Sequence, residues 1–396
     1  MTRSHAPSRR PGAIAPLTAF LLVPLVAMVA FAVDMGWITH TQNELQSAAD
    51  AAALAGAGQL PDGFVAYYLR PQTAAAQQAT LTASTTKAST AAKNYAGYNS
   101  AGGVSSLTLL DGDIEYGYTD AGGNYTALPG YQGYPNTIKV VMRRDATANT
   151  SLGLFFAKVL NINSVDLTAT ARATIYSGSI DGFRTSSPVV SRILPMTFDV
   201  NHWGNFMNTG AGPGSKIINM NANGQPQIDV YSTLKDRGNF GELSLDQGNN
   251  GASTISNWIN NGVSGADLQA EYTQGLLPFS QHNSLNPPDW KGNPGLKTST
   301  IHTAAANVGG LYLLPLFKPV NPDPTAYTAG VGQGSNYYYT IVGFVGVKIT
   351  AADNKTITVQ PSALIDPNAI YTSTTPAAPP TTSPLVTTFS APKLTQ

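Results

Sequence analysis

The chain has 396 residues, enough for two or three domains with a sizeable core. Only 11% of the residues are Asp, Glu, Lys or Arg, and 22 basic residues balance 22 acidic ones. Exported β-rich proteins often have this weakly charged composition, whereas nucleic-acid binding, which needs an excess of positive charge, is disfavoured. The absence of cysteine excludes disulfides, thiolate metal sites and cysteine catalysis.

The first predicted element is a membrane-spanning helix. No charged residue lies between Arg10 and Asp34, and a helix from Gly12 to Val33 would be ~33 Å long, which is the thickness of a hydrocarbon core. Pro24 lies inside this span, where membrane helices tolerate it. The sequence therefore predicts a transmembrane anchor over residues 12–38.

The flanks of this span predict its orientation. Arg9 and Arg10 precede it, and Asp34 lies at its other end. Trp37 stands where an aromatic belt would meet the outer interface. The positive-inside rule places the N-terminus in the cytoplasm and the residues after Asp34 across the membrane.

A cleaved signal peptide is the alternative interpretation. Ala30-Phe31-Ala32 has the small-x-small form that signal peptidase accepts. The apolar run is longer than the apolar region of ordinary signals, however, and the helical pattern continues through the cleavage position. A retained anchor is the favoured reading.

An alanine-rich helix continues the span. Ile38, Leu45 and Ala52 repeat every seven residues, and Ala48, Ala52 and Gly56 recur every four. A stripe of small residues lets two helices approach closely. We expect it to pack either against a partner helix or against the chain's own domain.

The segment "RRPGAIAPLTAFLLVPLVAMVAFAVDMGWITHTQNELQSAADAAALAGAG" resembles the N-terminal part of TadG-like proteins of the Flp pilus assembly (tight adherence) systems of bacteria. The resemblance implies an inner-membrane-anchored accessory protein of a pilus or secretion apparatus. It would be a single-pass protein of the bacterial inner membrane with its bulk in the periplasm or at the surface. Its partners would be pseudopilins, other Tad components or a second copy.

Two features of related proteins are missing. Prepilins carry a glutamate five residues after their cleavage-site glycine, but Leu17 stands five residues after Gly12. The Asp-x-Ser-x-Ser pentapeptide of von Willebrand A domains, which many TadG-like proteins carry, does not occur in this sequence. We therefore carry over neither prepilin processing nor a metal-dependent adhesion site.

The region after the anchor reads as a pilin-like module over residues 39–180. A helix is predicted at "TAAAQQATLTASTTKASTAAKNYAGYN", followed by the alternating runs of a small antiparallel sheet. This module loosely resembles the region that follows the anchor in Tad-type proteins. Leu152–Leu160 reads as a short apolar helix that caps the sheet.

The remaining chain divides in two. Residues 181–368 predict a β-rich domain with one helix at "GASTISNWINNGV", and "RILPMTFDVNHWGNF" is among its strand candidates. Its pieces "GNFGELSLD" and "IVGFVGVKI" look similar to the C-terminal half of some TadG-related proteins. Residues 369–396 are rich in Pro and Thr and predict a disordered tail. The expected fold class is α+β.

Sequence motifs for catalysis are absent. The five histidines form no HExxH motif, and the sequence contains neither a GxSxG elbow nor a phosphate-binding glycine loop in its proper context. We therefore expect no enzyme, no cofactor and no metal.

Three carboxylates, Asp111, Asp113 and Glu115, alternate along a predicted strand and would share one face. Such a face can hold calcium, but a solvated strand face is the simpler interpretation.

Two functional hypotheses remain. The favoured one is the membrane-anchored assembly protein, and the alternative is an exported glycan-active enzyme or binding module in the β-rich half. Trp203 and Trp258 read as core residues rather than ligand platforms. Three further polar residues have a spacing that predicts no particular binding site: Asn205, Asn208 and Asp229.

Overall fold

The computed structural model describes residues 14–69, 73–186, 188–209, 219–220, 226–232, 240–246, 248, 251–272, 289–293, 298–321, 328–333, 336–353, 356–371, 374–380 and 386–395. It confirms the α+β class: a long apolar helix is followed by a strand-rich region. The α-helices are α1 (Ile14–Ala57), α2 (Leu60–Tyr68), α3 (Ala74–Gly97), α4 (Val200–Thr209), α5 (Ala252–Asn261), α6 (Gly265–Tyr272) and α7 (Thr298–Ala306).

The strands of the first half are β1 (Ile114–Thr119), β2 (Tyr125–Ala127), β3 (Thr137–Arg144), β4 (Leu152–Gly153), β5 (Ser164–Val165), β6 (Leu167–Ser177) and β7 (Ile180–Phe183). Those of the second half are β8 (Met196–Asp199), β9 (Asn219–Met220), β10 (Pro226–Ser232), β11 (Phe240–Leu243), β12 (Asp289–Asn293), β13 (Leu311–Phe317), β14 (Val331–Gln333), β15 (Asn336–Ala352), β16 (Thr356–Pro361), β17 (Ala369–Tyr371), β18 (Thr375–Pro376) and β19 (Phe389–Thr395).

The chain divides into two compact units. The first comprises Met1–Ala52, Lys93–Ile114 and Val140–Ala171. The second comprises Ala53–Ala92, Glu115–Lys139 and Arg172–Gln396. Each unit is therefore assembled from segments that are distant in sequence.

In the first unit, α1 buries one face beyond its apolar segment. Asp34 is 4% exposed, and Thr41, Leu45, Ala48 and Ala52 are fully buried. At about 100° per residue, these positions fall on one side of the helix. Of the seven-residue repeat in the sequence, Leu45 and Ala52 lie on this face, and Ile38 is half-buried.

A six-stranded sheet has the order β18–β6–β3–β1–β2, with β19 also paired to β6. Inward and outward positions alternate along β3, where Ile138, Val140 and Met142 are fully buried. Because side chains alternate between the faces of a strand, this pattern gives the sheet one core-facing side.

The prediction of a disordered tail over residues 369–396 is wrong for the described residues. β17 pairs with β7, and both β18 and β19 pair with β6. Phe389 is fully buried. Proline and threonine suit such edge strands, because an edge leaves one side of the backbone free of partners. Residues 372–373, 381–385 and 396 lie outside the described residues.

A nine-stranded sheet in the second unit has the order β12–β11–β8–β13–β15–β16–β10–β9, with β14 paired to β15. β13 pairs with β15 antiparallel over its whole length and with β8 parallel. Six of its seven residues are buried, which explains its nearly continuous apolar sequence. The strand candidate "RILPMTFDVNHWGNF" is only partly a strand, because helix α4 begins at Val200.

The apolar run Leu152–Leu160 does not form the predicted capping helix. It contains the short strand β4 and a single 3₁₀ turn, Ala157–Leu160, in which no residue is buried. Length explains the error, since a run of nine apolar residues does not fix one secondary structure.

Candidate functional site at the base of the apolar helix

The apolar part of α1 has its side chains in the open. The helical stretch within Phe20–Tyr68 is long and apolar enough to cross a membrane. An 18-residue window in this stretch has a mean hydropathy of 2.1, and 6% of that window is buried. Phe20 is 75% exposed and Met28 is 74% exposed. Exposed apolar surface of this size is costly in water but matches a hydrocarbon environment. The predicted topology residues Arg9 and Arg10 lie outside the described residues.

Asp34 ends this exposed segment and fastens it to the first unit. Its carboxylate accepts backbone N–H groups from Phe155 at 2.8 Å, Phe156 at 3.0 Å and Ala157 at 2.6 Å. One carboxylate thus satisfies three consecutive N–H groups, and hydrogen bonds to a charged acceptor are stronger than neutral ones. We call this arrangement of Asp34 and residues 155–157 the Asp34 clasp.

Trp37 packs one turn beyond the clasp. Its ring centroid lies 5.8 Å from that of Phe155 and 6.1 Å from that of His40. The two residues predicted from the sequence to mark the outer end of the span, Asp34 and Trp37, therefore contact the same short segment of the chain.

Further polar contacts hold α1 on both sides of its buried face. Gln42 donates to the carbonyl of Thr168 at 2.8 Å, and Gln46 donates to that of Thr170 at 3.1 Å. Because the two glutamines are four residues apart, they lie on one side of the helix and follow strand β6. Their spacing beside the alanine stripe was a usable signal that the sequence analysis missed.

On the other side of the buried face, Glu44 and the buried Arg144 both bond to Gly102. The Glu44 carboxylate accepts the N–H of Gly102 at 2.8 Å. Arg144, only 3% exposed, donates to the carbonyls of Gly102 at 2.9 Å, Thr150 at 2.9 Å and Ala101. Burial lowers the pKa of Arg144 and Glu44 counteracts this, but a guanidinium stays charged in proteins. No sequence signal indicated this residue.

The stripe of small residues faces the interior. Ala48 and Ala52 are fully buried. A Cβ added to Gly56 would lie 2.6 Å from Cδ1 of Ile138 and 3.2 Å from the carbonyl oxygen of Ala88. Of the two expectations, packing within the chain fits this geometry. Docking of the stripe on a pseudopilin or a second copy stays a prediction.

The three carboxylates of the suggested calcium face do not converge. Asp111–Asp113 forms a 3₁₀ turn, and the strand begins only at Ile114. Each carboxylate has its own partner, because Asp111 pairs with Lys93, Asp113 with Arg143, and Glu115 accepts the hydroxyl of Tyr125.

Ion pairs with basic residues account for the positions of Asp111 and Asp113. The hydrogen bonds to Asp113 raise the pKa of Arg143. Within the described part of the chain, no group of three or more His, Asp or Glu residues is arranged to hold a metal ion.

The described tryptophans of the second unit are buried. Trp203, Trp258 and Trp290 are 2%, 1% and 2% exposed, so they form core rather than platforms. Asn205 is exposed and Asp229 accepts the hydroxyl of Thr358, while the side chain of Asn208 is outside the described residues.

An open cleft of about 590 Å³ in the second unit is lined by Asp62, Lys87 and Lys348, among other residues. Asp62 is its one lining carboxylate among the described residues. Glycoside hydrolysis commonly uses a pair of carboxylates, which this cleft lacks.

Comparison with known families gives the clasp a context. A family described as putative Flp pilus-assembly TadE/G-like matches residues 12–59, and one described as putative Tad-like Flp pilus-assembly matches residues 74–173. Over these residues the chain is similar to proteins of Flp pilus assembly. Asp34 lies in the first matched region and residues 155–157 lie in the second, so the clasp joins the two. No curated protein and no solved structure matches the chain.

Proposed function

We propose that this protein is a membrane-anchored, non-catalytic assembly protein of a bacterial Flp-type pilus or secretion apparatus. Its N-terminus lies in the cytoplasm, α1 crosses the inner membrane once, and the residues after Asp34 lie in the periplasm or at the surface. The observation that carries the proposal is the Asp34 clasp, because it stands where the exposed apolar segment of α1 gives way to a buried face.

The continuity of α1 supports a retained anchor rather than a cleaved signal. The helix extends from Ile14 to Ala57 without interruption, and its second part supplies buried core to the first unit. Cleavage after Ala32 would leave a helix end next to Asp34 and expose the clasp to water. A segment built into the fold in this way is expected to remain attached to it.

The buried tryptophans and the separately paired carboxylates support a non-catalytic role over the glycan-active alternative. Catalysis at carbohydrates would need convergent carboxylates and exposed aromatic platforms. Among the described residues, Trp203, Trp258 and Trp290 are buried, and Asp111, Asp113 and Glu115 are each paired separately.

Partners within the apparatus belong to the same proposal. Since the small-residue stripe is enclosed, contacts with pseudopilins, other Tad components or a second copy have to use exposed surface. The exposed apolar segment of α1 is one such surface, because helices in a bilayer associate by side-chain packing. A photo-crosslinking residue at Val26, which is 56% exposed, would identify what this surface meets.

Topology can be tested with single cysteines, because the natural chain has none. Ser4→Cys lies before the apolar segment, and Thr90→Cys lies at an exposed position of α3. We expect a membrane-impermeant maleimide to label Thr90→Cys in intact spheroplasts and Ser4→Cys only after permeabilisation. Mass spectrometry should recover a chain that retains residues 20–33.

The reverse labelling pattern would contradict the proposed orientation. A mature protein that begins at Val33 would contradict the anchor itself. Normal pilus assembly in a strain that lacks the protein would contradict the assembly role, whatever the topology.

A further inference from the structure

A cluster of exposed apolar side chains follows the Asp34 clasp. Its large members are Phe155 (60% exposed), Phe156 (47%), Val159 (88%), Leu160 (76%) and Ile162 (51%). Together with the residues between them, they form what we call the apolar loop, residues 155–162. Such side chains are more favourable buried than in water, so leaving a contiguous group of them exposed to water is unfavourable.

The clasp places this loop beside the end of the membrane-spanning segment. Three N–H groups of the loop bond to Asp34, and the ring of Phe155 lies against that of Trp37. The exposed apolar surface of α1, which includes Phe31 at 68% and Val33 at 44%, therefore continues onto the loop. Both surfaces belong to the first unit.

The backbone of the loop is prepared for an apolar environment. The N–H groups of residues 155–157 are taken by Asp34. Those of Val159, Asn161 and Ile162 bond to carbonyls within the loop, at 3.0, 3.0 and 3.1 Å. Unsatisfied backbone groups cost several kcal/mol in lipid, and this folding of the loop removes most of that cost.

The one charged residue of the loop, Lys158, suits an interface. It is exposed and stands between the two phenylalanines and Val159. A lysine near a bilayer surface can extend its ammonium group towards the phosphates while its methylene chain stays in apolar surroundings. A cation in this position also favours anionic lipids.

We propose that the apolar loop inserts into the interfacial layer of the membrane that α1 crosses, on the side where the residues after Asp34 lie. The bilayer is the occupant that the continuity of the two apolar surfaces favours. The first unit is then attached to the membrane at two points, α1 and the apolar loop, rather than at α1 alone. This inference rests on the proposed membrane anchor.

Depth measurements on the full-length protein in phospholipid vesicles test the inference. Single cysteines carrying an environment-sensitive fluorophore are introduced at Val159 in the loop, at Val26 in the apolar segment and at Tyr98, which is 78% exposed in the first unit. Lipids with brominated acyl chains quench fluorophores that lie in the acyl region.

Val26→Cys should be strongly quenched and Tyr98→Cys should not be quenched. Val159→Cys should lose roughly half of its emission, as expected about 5–10 Å into the headgroup and acyl boundary. Adding Leu160→Asp should lift the loop and restore the emission of the Val159 probe. Thermal unfolding of each variant checks that the fold is kept.

The controls distinguish failure of loop insertion from failure of the proposed membrane anchor. If Val26→Cys is quenched but Val159→Cys is not, the anchor stands and the loop inference is wrong, and a protein partner then becomes the occupant to seek. If neither is quenched, the proposed anchor fails as well. Unchanged quenching at Val159 in the presence of Leu160→Asp would also contradict insertion.

Discussion

Substitution of Gly56 by alanine tests whether the small-residue stripe of α1 packs inside the chain or docks on a partner helix. In Gly56→Ala the new Cβ would lie 2.6 Å from Cδ1 of Ile138, a side chain that is itself fully buried. The carbonyl oxygen of Ala88, at 3.2 Å, limits movement in the other direction. The substitution therefore overfills a closed part of the core.

Two opposing effects decide the magnitude. Overpacking a core costs about 1–3 kcal/mol, whereas replacing glycine by alanine inside a helix gains up to about 1 kcal/mol. We expect Gly56→Ala to lower the free energy of unfolding by on the order of 1 kcal/mol, or the melting temperature by about 2–4 °C. Gly36→Ala, in the same helix with nothing within 4 Å of the new Cβ, should show no loss.

A double-mutant cycle on the full-length protein in detergent identifies the contact. Ile138→Val removes Cδ1, at a cost of about 0.5–1.5 kcal/mol by itself. In the double variant the alanine methyl occupies the vacated space, so the combined loss should be smaller than the sum of the single losses. Strict additivity would refute the packing argument. A normal melting temperature with failed pilus assembly in Gly56→Ala would instead restore the docking interpretation of the stripe.

The remaining predictions concern the clasp, the buried arginine and the last strand. Asp34→Asn replaces one acceptor oxygen by an amide donor that faces backbone N–H groups. Hydrogen exchange of the amides of residues 155–157 should therefore accelerate, and the free energy of unfolding should fall by about 1–3 kcal/mol. Unchanged exchange would show that the bonds are weak. Arg144→Met removes the guanidinium that donates to the carbonyls of Ala101, Gly102 and Thr150, and it should lower the melting temperature by several degrees. An unchanged melting temperature would indicate that water replaces the guanidinium. Phe389→Ala should lower the free energy of unfolding, measured with denaturant, by about 3–5 kcal/mol. Leu394→Ala, on the same strand at a position that is 46% exposed, should lower it far less. Equal losses would mean that the ring of Phe389 does not anchor β19.

The long helix and its buried face could be predicted from the sequence because both depend on local periodicity. The uncharged run before Asp34 and the alanine repeat after it fix the helix without reference to the rest of the chain. The role of Asp34 depends instead on residues more than 120 positions away, since its bond to Phe155 spans 121 residues. No local pattern contains that information.

The errors have the same physical origin. The acidic residues at 111, 113 and 115 looked like a shared face because strand periodicity was extended through Asp111–Asp113, where the chain makes a 3₁₀ turn. Their cations, such as Arg143, come from other elements. The Pro- and Thr-rich end was read as disordered from its composition, although its order depends on the free edge of β6.

If the residues after Asp34 cross the membrane in chain order, as the proposed topology requires, the pairing of β19 with β6 sets an order of events. Thr174 and Thr395, whose hydroxyls lie 3.1 Å apart in this pairing, are separated by 221 residues. Until β18 and β19 emerge, one edge of β6 has no partner, and an open strand edge invites wrong pairing. On that topology, a chain stalled in the translocation channel would hold a Tad-matched region that is still unfinished, and completion of the first sheet would report that the chain has crossed as far as β19.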